Sequence, residues 1–377
     1  MSALQRTDTS LFGRWWWTVD RWTLAAIAIL LACGGVMTLA ASPAVAERID
    51  VGSFHFVKRQ AVFLSLAALT IIGVSLMSPK GIRRLAILTT LGALALMLMT
   101  LVFGAEIKGA SRWLSIGGLS LQPSEFVKPG IAVVAAWLFA RQRMDDRFPG
   151  IQMSIAVYLV TVAILLMQPD VGMTIVVSVV WGTQFFVAGL PLVFVALIAL
   201  TFMGAGVGAY FTFDHVQLRV DRFFGPDSEI GYQAARAIEA FQHGGILGRG
   251  PGEGRVKEVL PDAHADFIFA VTGEEFGLLA CLVIVGLFAF VVLRGFARVM
   301  KLDDLFVLLA VAGLLSQFAV QALINMASSV SLIPPKGMTL PFISYGGSST
   351  LALAIGMGMV LALTRERPET GGARYEH

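Results

Sequence analysis

The residues of this 377-residue chain with the strongest chemical potential are the ionisable side chains that interrupt or border its apolar runs: Glu125, Lys128, Asp170, Asp266, Glu274 and Glu275. A charge near the middle of a bilayer costs about 2.5–3.5 kcal/mol on insertion scales, so such residues usually face a bundle interior or a watery cavity. Glu125 and Lys128 are three residues apart, share one helix face and can pair. The pair either serves only mutual neutralisation or lines a cavity, and Pro129 directly after it predicts a kink in that helix. Asp170, in Gln168-Pro169-Asp170, reads as a turn residue that caps the following helix. Asp266 opens a long apolar segment at its outer mouth, where it is either an N-cap or a carboxylate available to substrate. Glu274 and Glu275, two turns deeper, have no basic neighbour in sequence, so each requires a cation from another helix or a proton.

Between 212 and 265 the chain is polar. The stretches 217–224 and 232–241 mix cations with apolar residues in the manner of interfacial helices. After them Gly244, Gly245, Gly248, Gly250, Gly252 and Gly254 exclude a regular helix and leave backbone amides beside Arg249, Arg255 and Lys257, a setting suited to an anion. Near the end, the Pro- and Gly-rich run 334–349, with Lys336 and Ser344, makes an irregular entry to the last apolar segment, where Gly346 and Gly347 allow close helix packing.

Membrane-spanning helices must position these groups. Hydrophobic residues make up 56% of the chain and charged residues 14%, with a mean hydropathy of +0.78. A span needs about 20 mostly apolar residues, and about ten segments qualify: 23–41, 57–77, 85–103, 126–141, 151–167, 171–188, 190–211, 267–293, 305–325 and 342–364. Continuous rather than alternating apolarity excludes a transmembrane barrel. The expected fold is therefore an all-α polytopic membrane protein with one large extracytoplasmic loop, 212–265, inside a single membrane domain, 23–364. Residues 1–22 and 365–377 form short cytoplasmic segments. Clusters at Lys80, Arg83 and Arg84, at Arg141, Arg143 and Arg147, at Arg294, Arg298 and Lys301, and at Arg365 and Arg367 lie on one side, which the positive-inside rule assigns to the cytoplasm. Lys58 and Arg59 stand on the opposite side and require a separate reason. The small-residue run 42–46 imitates a cleavage site, but the apolar run before it is longer than a signal peptide's, so an uncleaved first span is expected. Cys33 and Cys281 lie in apolar runs and supply neither a disulfide framework nor a metal site. The net charge of +3 fits basic cytoplasmic loops and does not argue for nucleic acid.

Five separated motifs occur in order: Gly-Ala-Ser-Arg-Trp at 109–113, Gln-Pro-Ser-Glu at 122–125 with Lys128, Gln-Pro-Asp at 168–170, Leu-Pro-Asp-Ala-His-Ala-Asp-Phe-Ile-Phe-Ala at 260–270, and Pro-Phe-Ile-Ser-Tyr-Gly-Gly-Ser-Ser at 341–349. Together they resemble the FtsW/RodA family, the SEDS proteins of shape, elongation, division and sporulation, over nearly the whole chain. The runs at 250–254 and 336–341 look more like the division branch than the elongation branch. Ala265 and Pro335 stand where the family usually has Thr, and Pro129 where it has an ordinary helix former.

The resemblance implies a peptidoglycan glycosyltransferase of the bacterial inner membrane, acting at the septum with both termini cytoplasmic. Its substrates would be lipid II and the nascent glycan strand. Its partners would be a class B penicillin-binding protein, which cross-links the glycan, and other membrane proteins of the division machinery. Asp266 matches the family's catalytic position. Arg59, Arg112, Gln122, Glu125, Lys128, Lys336 and Ser344 are the candidates for substrate binding, and Glu258 and His264 belong to the loop that helps control activity. In that chemistry Asp266 takes the proton of the attacking sugar hydroxyl, while Arg59, Arg112 and Lys128 stabilise the departing lipid diphosphate. Outer cations of this kind would account for the exceptions to the positive-inside rule. No dedicated metal ligand set is present, although a divalent cation, Mg2+ or Mn2+, could share the phosphates. Two other classes suit the same polar spans: a lipid II flippase, which needs access from both faces, and a non-catalytic scaffold of the division machinery, which needs no such site.

Overall fold

The computed structural model describes residues 10–107, 110–116, 119–189, 192–212, 217, 221, 229–334 and 337–366. Lys336 and most of 217–224 lie outside these. A short helix, α1 (Leu11–Thr18), precedes α2 (Arg21–Arg48), α3 (His55–Ser75) and α4 (Pro79–Phe103). Strands β1 (Ala105–Ile107), β2 (Ala110–Ile116) and β3 (Leu119–Leu121) follow, then α5 (Pro123–Met144), α6 (Gly150–Met167), α7 (Val171–Val187) and α8 (Leu192–Thr212). The chain continues through α9 (Glu229–Gly244), α10 (Val256–Val259), α11 (Ile268–Val299), α12 (Leu305–Ser329) and α13 (Gly347–Leu363).

Each expected span coincides with a helix. Among the described residues, six helices are long and apolar enough to cross a membrane by length and composition alone: α2, α3, α4, α6, α11 and α12. The ends of the spans differ from expectation. Helix α2 runs past residue 41 through Pro43, with Ser42, Val45 and Ala46 buried, so the small-residue run is the outer turn of a helix. The last helix starts at Gly347 rather than at 342, because 341–346 folds as an irregular entry.

Helix α5 is not among these six, and it is the central element. It packs against α4, α6, α7, α12 and α13, and from Pro123 to Ala140 every side chain is buried except those of Phe126 and Trp137. A helix enclosed by protein can carry Glu125 and Lys128, since neither has to face lipid. The expected kink is absent as a break: α5 continues through Pro129 as one helix. The interruption lies in α11, at Gly277 (φ 77°, ψ −178°). A side chain there would collide with the Ile246 carbonyl and the Gly248 amide.

The connection between α4 and α5 contains a three-stranded antiparallel sheet, β1-β2-β3. The signal was legible: Trp-Leu-Ser-Ile and Leu-Ser-Leu flank Gly-Gly at 117–118, and a two-residue Gly-Gly connection is a strong hairpin signal.

On the opposite face the two ends of the described chain are tied together. Arg294 of α11 forms a bidentate pair with Asp20 (2.7 and 2.9 Å), Arg298 bonds Glu366 (2.9 Å), and Arg365 donates to Thr18 and to the Ser75 carbonyl. Burial works to raise the pKa of Asp20, but the hydrogen bonds from Arg294 and Thr23 and the charge of Arg298 outweigh it and hold the carboxyl below its ordinary value.

Candidate functional site

Asp266 lies in the turn before α11, whose N-cap is Phe267, so it does not occupy the N-cap position that its spacing suggested. Three successive carbonyls of this turn are held by donors from the last third of the chain. The Tyr345 amide donates to His264 O (3.0 Å), the Ser344 hydroxyl to Ala265 O (2.6 Å), and the Asn325 carboxamide to Asp266 O (2.9 Å). Asp266 also donates its own N–H to the Asp262 carbonyl (3.0 Å), and its side chain remains partly exposed. A carboxylate on so heavily tethered a backbone is pre-positioned, which a general base requires.

Ser344 spends its hydroxyl within this staple, since it also accepts from the Leu340 amide (2.7 Å). Gln60 of α3 donates to the Ser344 carbonyl (3.2 Å), and Arg59, its neighbour, hydrogen-bonds the Tyr345 phenol. Arg59 is thereby brought beside the Asp266 turn. His264 is packed against Phe56 (4.6 Å between ring centroids) and Tyr345 (5.1 Å). Burial lowers its pKa to about 4, with Asp262 opposing and Arg48 assisting.

A second cluster surrounds Lys128. Its ammonium is 2.8 Å from Glu125 and 2.7 Å from Gln321 Oε1. Gln321 in turn donates to Ser349 Oγ (3.0 Å) and the Thr339 carbonyl (3.2 Å). Gln122 contributes through its backbone amide, which donates to Ser348 Oγ (3.0 Å). Arg112, on β2, reaches the α6–α7 turn, donating to the Gln168 carbonyl (3.2 Å) and the Pro169 carbonyl (2.5 Å) and lying 3.6 Å from Asp170. Asp170 caps α7 through the Met173 amide (3.2 Å), as its spacing predicts. Burial raises its pKa, and the charge of Arg112 offsets part of that rise. Gln321 and Asn325 escaped the sequence reading because uncharged amides inside an apolar span give no local signal. Their spacing of four residues, placing both on one helix face, was the clue available.

The Gly-rich loop presents amides and a cation, as its composition suggested, and two carboxylates of the chain itself occupy them. Glu274 accepts from the amides of Arg255 (3.0 Å) and Val256 (3.0 Å), with Arg249 at 3.7 Å. Glu275 accepts from the Gly252 amide (2.9 Å) and from Lys257 Nζ (2.5 Å). Both glutamates are at most 1% exposed. Glu275 takes its cation from another helix, as expected, through Lys257 of the short α10, while the cation beside Glu274 is Arg249 of the Gly-rich loop. The loop also repairs the break at Gly277: Arg249 N–H bonds Glu274 O, Gly250 N–H bonds Glu275 O, and Leu278 N–H bonds Gly245 O. Irregular backbone at this depth is tolerated only where such partners exist.

Glu258 is exposed beside Lys257 and lines a groove of about 760 Å³ between the outer half of α2 and this loop. Asp266 is not among its walls. Among the described residues, no group of three or more His, Cys, Asp or Glu side chains is gathered to hold a metal ion.

A family model for cell cycle proteins of the FtsW/RodA/SpoVE type matches residues 21–369. The chain is 46% identical over 376 residues to the probable peptidoglycan glycosyltransferase FtsW of Caulobacter vibrioides, covering 99% of this chain and 96% of the relative. It is 33% identical over 362 residues to the probable peptidoglycan glycosyltransferase FtsW of Geobacter metallireducens, covering 91% and 94%. Among solved structures, a chain of a peptidoglycan synthase complex that coordinates polymerization and crosslinking superposes with a TM-score of 0.76 at 27% identity, covering 92% of this chain and 97% of that one. The rod shape determining protein RodA of Thermus thermophilus superposes with a TM-score of 0.66 at 26% identity, covering 93% and 97%.

Proposed function

Because the chain belongs to the FtsW/RodA/SpoVE family of cell cycle proteins, we infer that it is a peptidoglycan glycosyltransferase of the division type, a multi-pass protein of the bacterial inner membrane. Its substrate is lipid II, polymerised at the outer face into glycan strands during septal wall synthesis, and both termini are cytoplasmic. Asp266 is the general base: its carboxylate takes the proton of the acceptor sugar's 4-hydroxyl as that oxygen attacks the anomeric carbon of the growing strand. The bond from that carbon to the lipid diphosphate breaks, and the leaving group departs with the electron pair.

What carries this reading is the tethering of Asp266, whose own carbonyl and the two before it are held by Asn325, Ser344 and Tyr345. General-base catalysis contributes typically about 10²–10⁴-fold, and only when the base is held within hydrogen-bond reach. Arg59, Arg112 and Lys128 are the cations for the diphosphate, Arg through bidentate bonds and Lys as a point charge. In the resting protein Lys128 is engaged with Glu125 and Gln321, and Arg112 with the 168–170 turn. Substrate must therefore compete for them. Mg2+ commonly binds through substrate phosphates and one or two carboxylates, so a divalent cation would arrive with the diphosphate.

The partner is a class B penicillin-binding protein that cross-links the product, together with other membrane proteins of the division machinery; the match to a synthase complex coordinating the two activities supports it. Glu258 and His264 are the loop residues through which such a partner adjusts activity. Purified protein supplied with lipid II, with and without the partner, tests the reading. Glycan strands are expected from the unaltered protein, and their absence in both arms would overturn it.

A further inference from the structure

We propose that Gln321 and Asn325, two carboxamides one turn apart on α12, are positioning residues that couple the cation of the site to its base by clamping the segment 337–340 between them. The inference rests on the proposed roles of Lys128 and Asp266. Asn325 Nδ2 donates to two carbonyls at once, Asp266 O (2.9 Å) and Met338 O (2.7 Å). Gln321 Nε2 donates to the next residue of the same segment, at Thr339 O (3.2 Å), and to Ser349 Oγ (3.0 Å), while its Oε1 accepts from Lys128 Nζ (2.7 Å). Thr339 Oγ1 closes the ring by donating to Ser349 Oγ (2.7 Å).

A path of hydrogen bonds therefore runs from Lys128 through Gln321 to Thr339, crosses the backbone to Met338, and continues through Asn325 to Asp266. Both carboxamides are 1% exposed, so bulk water does not reach the side chains that make these bonds. A carboxamide suits this task because one uncharged group supplies two donors and an acceptor, and neither disturbs the charge of the site. Apolar packing alone would leave the carbonyls of 266, 338 and 339 without these donors. Asn325 Oδ1 has no hydrogen-bond partner among the described residues.

The two residues should fail differently. Asn325→Leu releases the Asp266 carbonyl and is expected to lower kcat by about 100-fold, the effect of misplacing a catalytic group by about an ångström, with KM for lipid II nearly unchanged. Gln321→Met removes the acceptor that aims Lys128, which meets a diphosphate already charged in the bound substrate, and is expected to raise KM about tenfold with a loss in kcat far smaller than that of Asn325→Leu, in keeping with the loss of one hydrogen bond to a charged group. Steady-state polymerisation by purified full-length protein, with Asp266→Asn in parallel, reads both. If Asn325→Leu does not fold, Asn325→Ser takes its place and must show the same kcat-only loss. Equal losses in kcat and KM for both variants, or a smaller active fraction with unchanged constants, would overturn the proposal. If the unaltered protein makes no glycan, the proposed function fails and this inference with it. If it makes glycan and Asp266→Asn does not, normal kinetics in the α12 variants overturn this inference alone.

Discussion

Lys257 Nζ lies 2.5 Å from Glu275 Oε1, joining the outer Gly-rich loop to the interior of the kinked helix α11. The same ammonium donates to the carbonyls of Ala40 and Gly252, so one side chain connects α2, the loop and α11. Removing one partner of a buried pair costs about 3–5 kcal/mol because the other charge is left uncompensated. Lys257→Met should therefore lower thermal stability strongly, and Lys257→Met combined with Glu275→Gln should recover part of the loss. Melting of the purified variants in detergent checks this, and additive effects would show that the pair carries no coupling.

The same logic applies to Lys128 and Glu125, 2.8 Å apart in the enclosed helix α5. Lys128→Met alone strands a carboxylate, whereas Lys128→Met with Glu125→Gln does not, so the double variant should melt higher than the single one. Activity should be lost in both, because the proposed diphosphate cation is absent from each.

Asp266→Asn keeps the size of the side chain and leaves the backbone bonds of its turn in place. It should abolish glycan synthesis while melting temperature and capture of the class B partner stay near those of the unaltered protein. Full polymerisation by a folded Asp266→Asn protein would remove the assignment of base.

His264 makes stability depend on pH in a direction set by its burial. Its pKa is about 4 when folded against 6.5 for the free side chain, so between these values the unfolded chain binds the extra proton. Stability contributed by the neutral ring is fully present above pH 6.5, falls as pH drops towards about 4, and changes no further below it. The limit is about 1.4 kcal/mol per unit of pKa difference. His264→Phe, which can still pack against Phe56 and Tyr345, should flatten this part of the stability profile. Thermal melts across that interval measure it, and an unchanged slope in His264→Phe would assign the dependence to other groups.

Gly277→Ala tests the break in α11. Its backbone lies in a region open essentially to glycine, and a Cβ would collide with the inserted loop. The variant should lose stability and loosen the loop that carries Lys257 and Glu258, seen as faster hydrogen exchange over residues 245–258.

The apolar segments that fold as helices and the membrane class were legible in the sequence because both depend on a local quantity, the length of an apolar run. The motif residues were legible as types, and the 105–121 sheet carried a hairpin signal in its Gly-Gly pair. Tertiary structure alone decided the partners. The loop amides looked suited to an anion and Glu274 and Glu275 lacked cations, yet nothing local said that one answered the other across some 20 residues of chain. The break in α11 depends on the loop that fills it, which is why Pro129, the stronger local breaker, leaves α5 whole while Gly277 does not. Gln321 and Asn325 stayed silent for the same reason: an amide in an apolar helix acquires a meaning only when the fold brings Lys128, residues 338–339 and Asp266 to it. Hydrogen bonds and ion pairs act over about 3 Å, and only the packed chain determines which distant residues come that close.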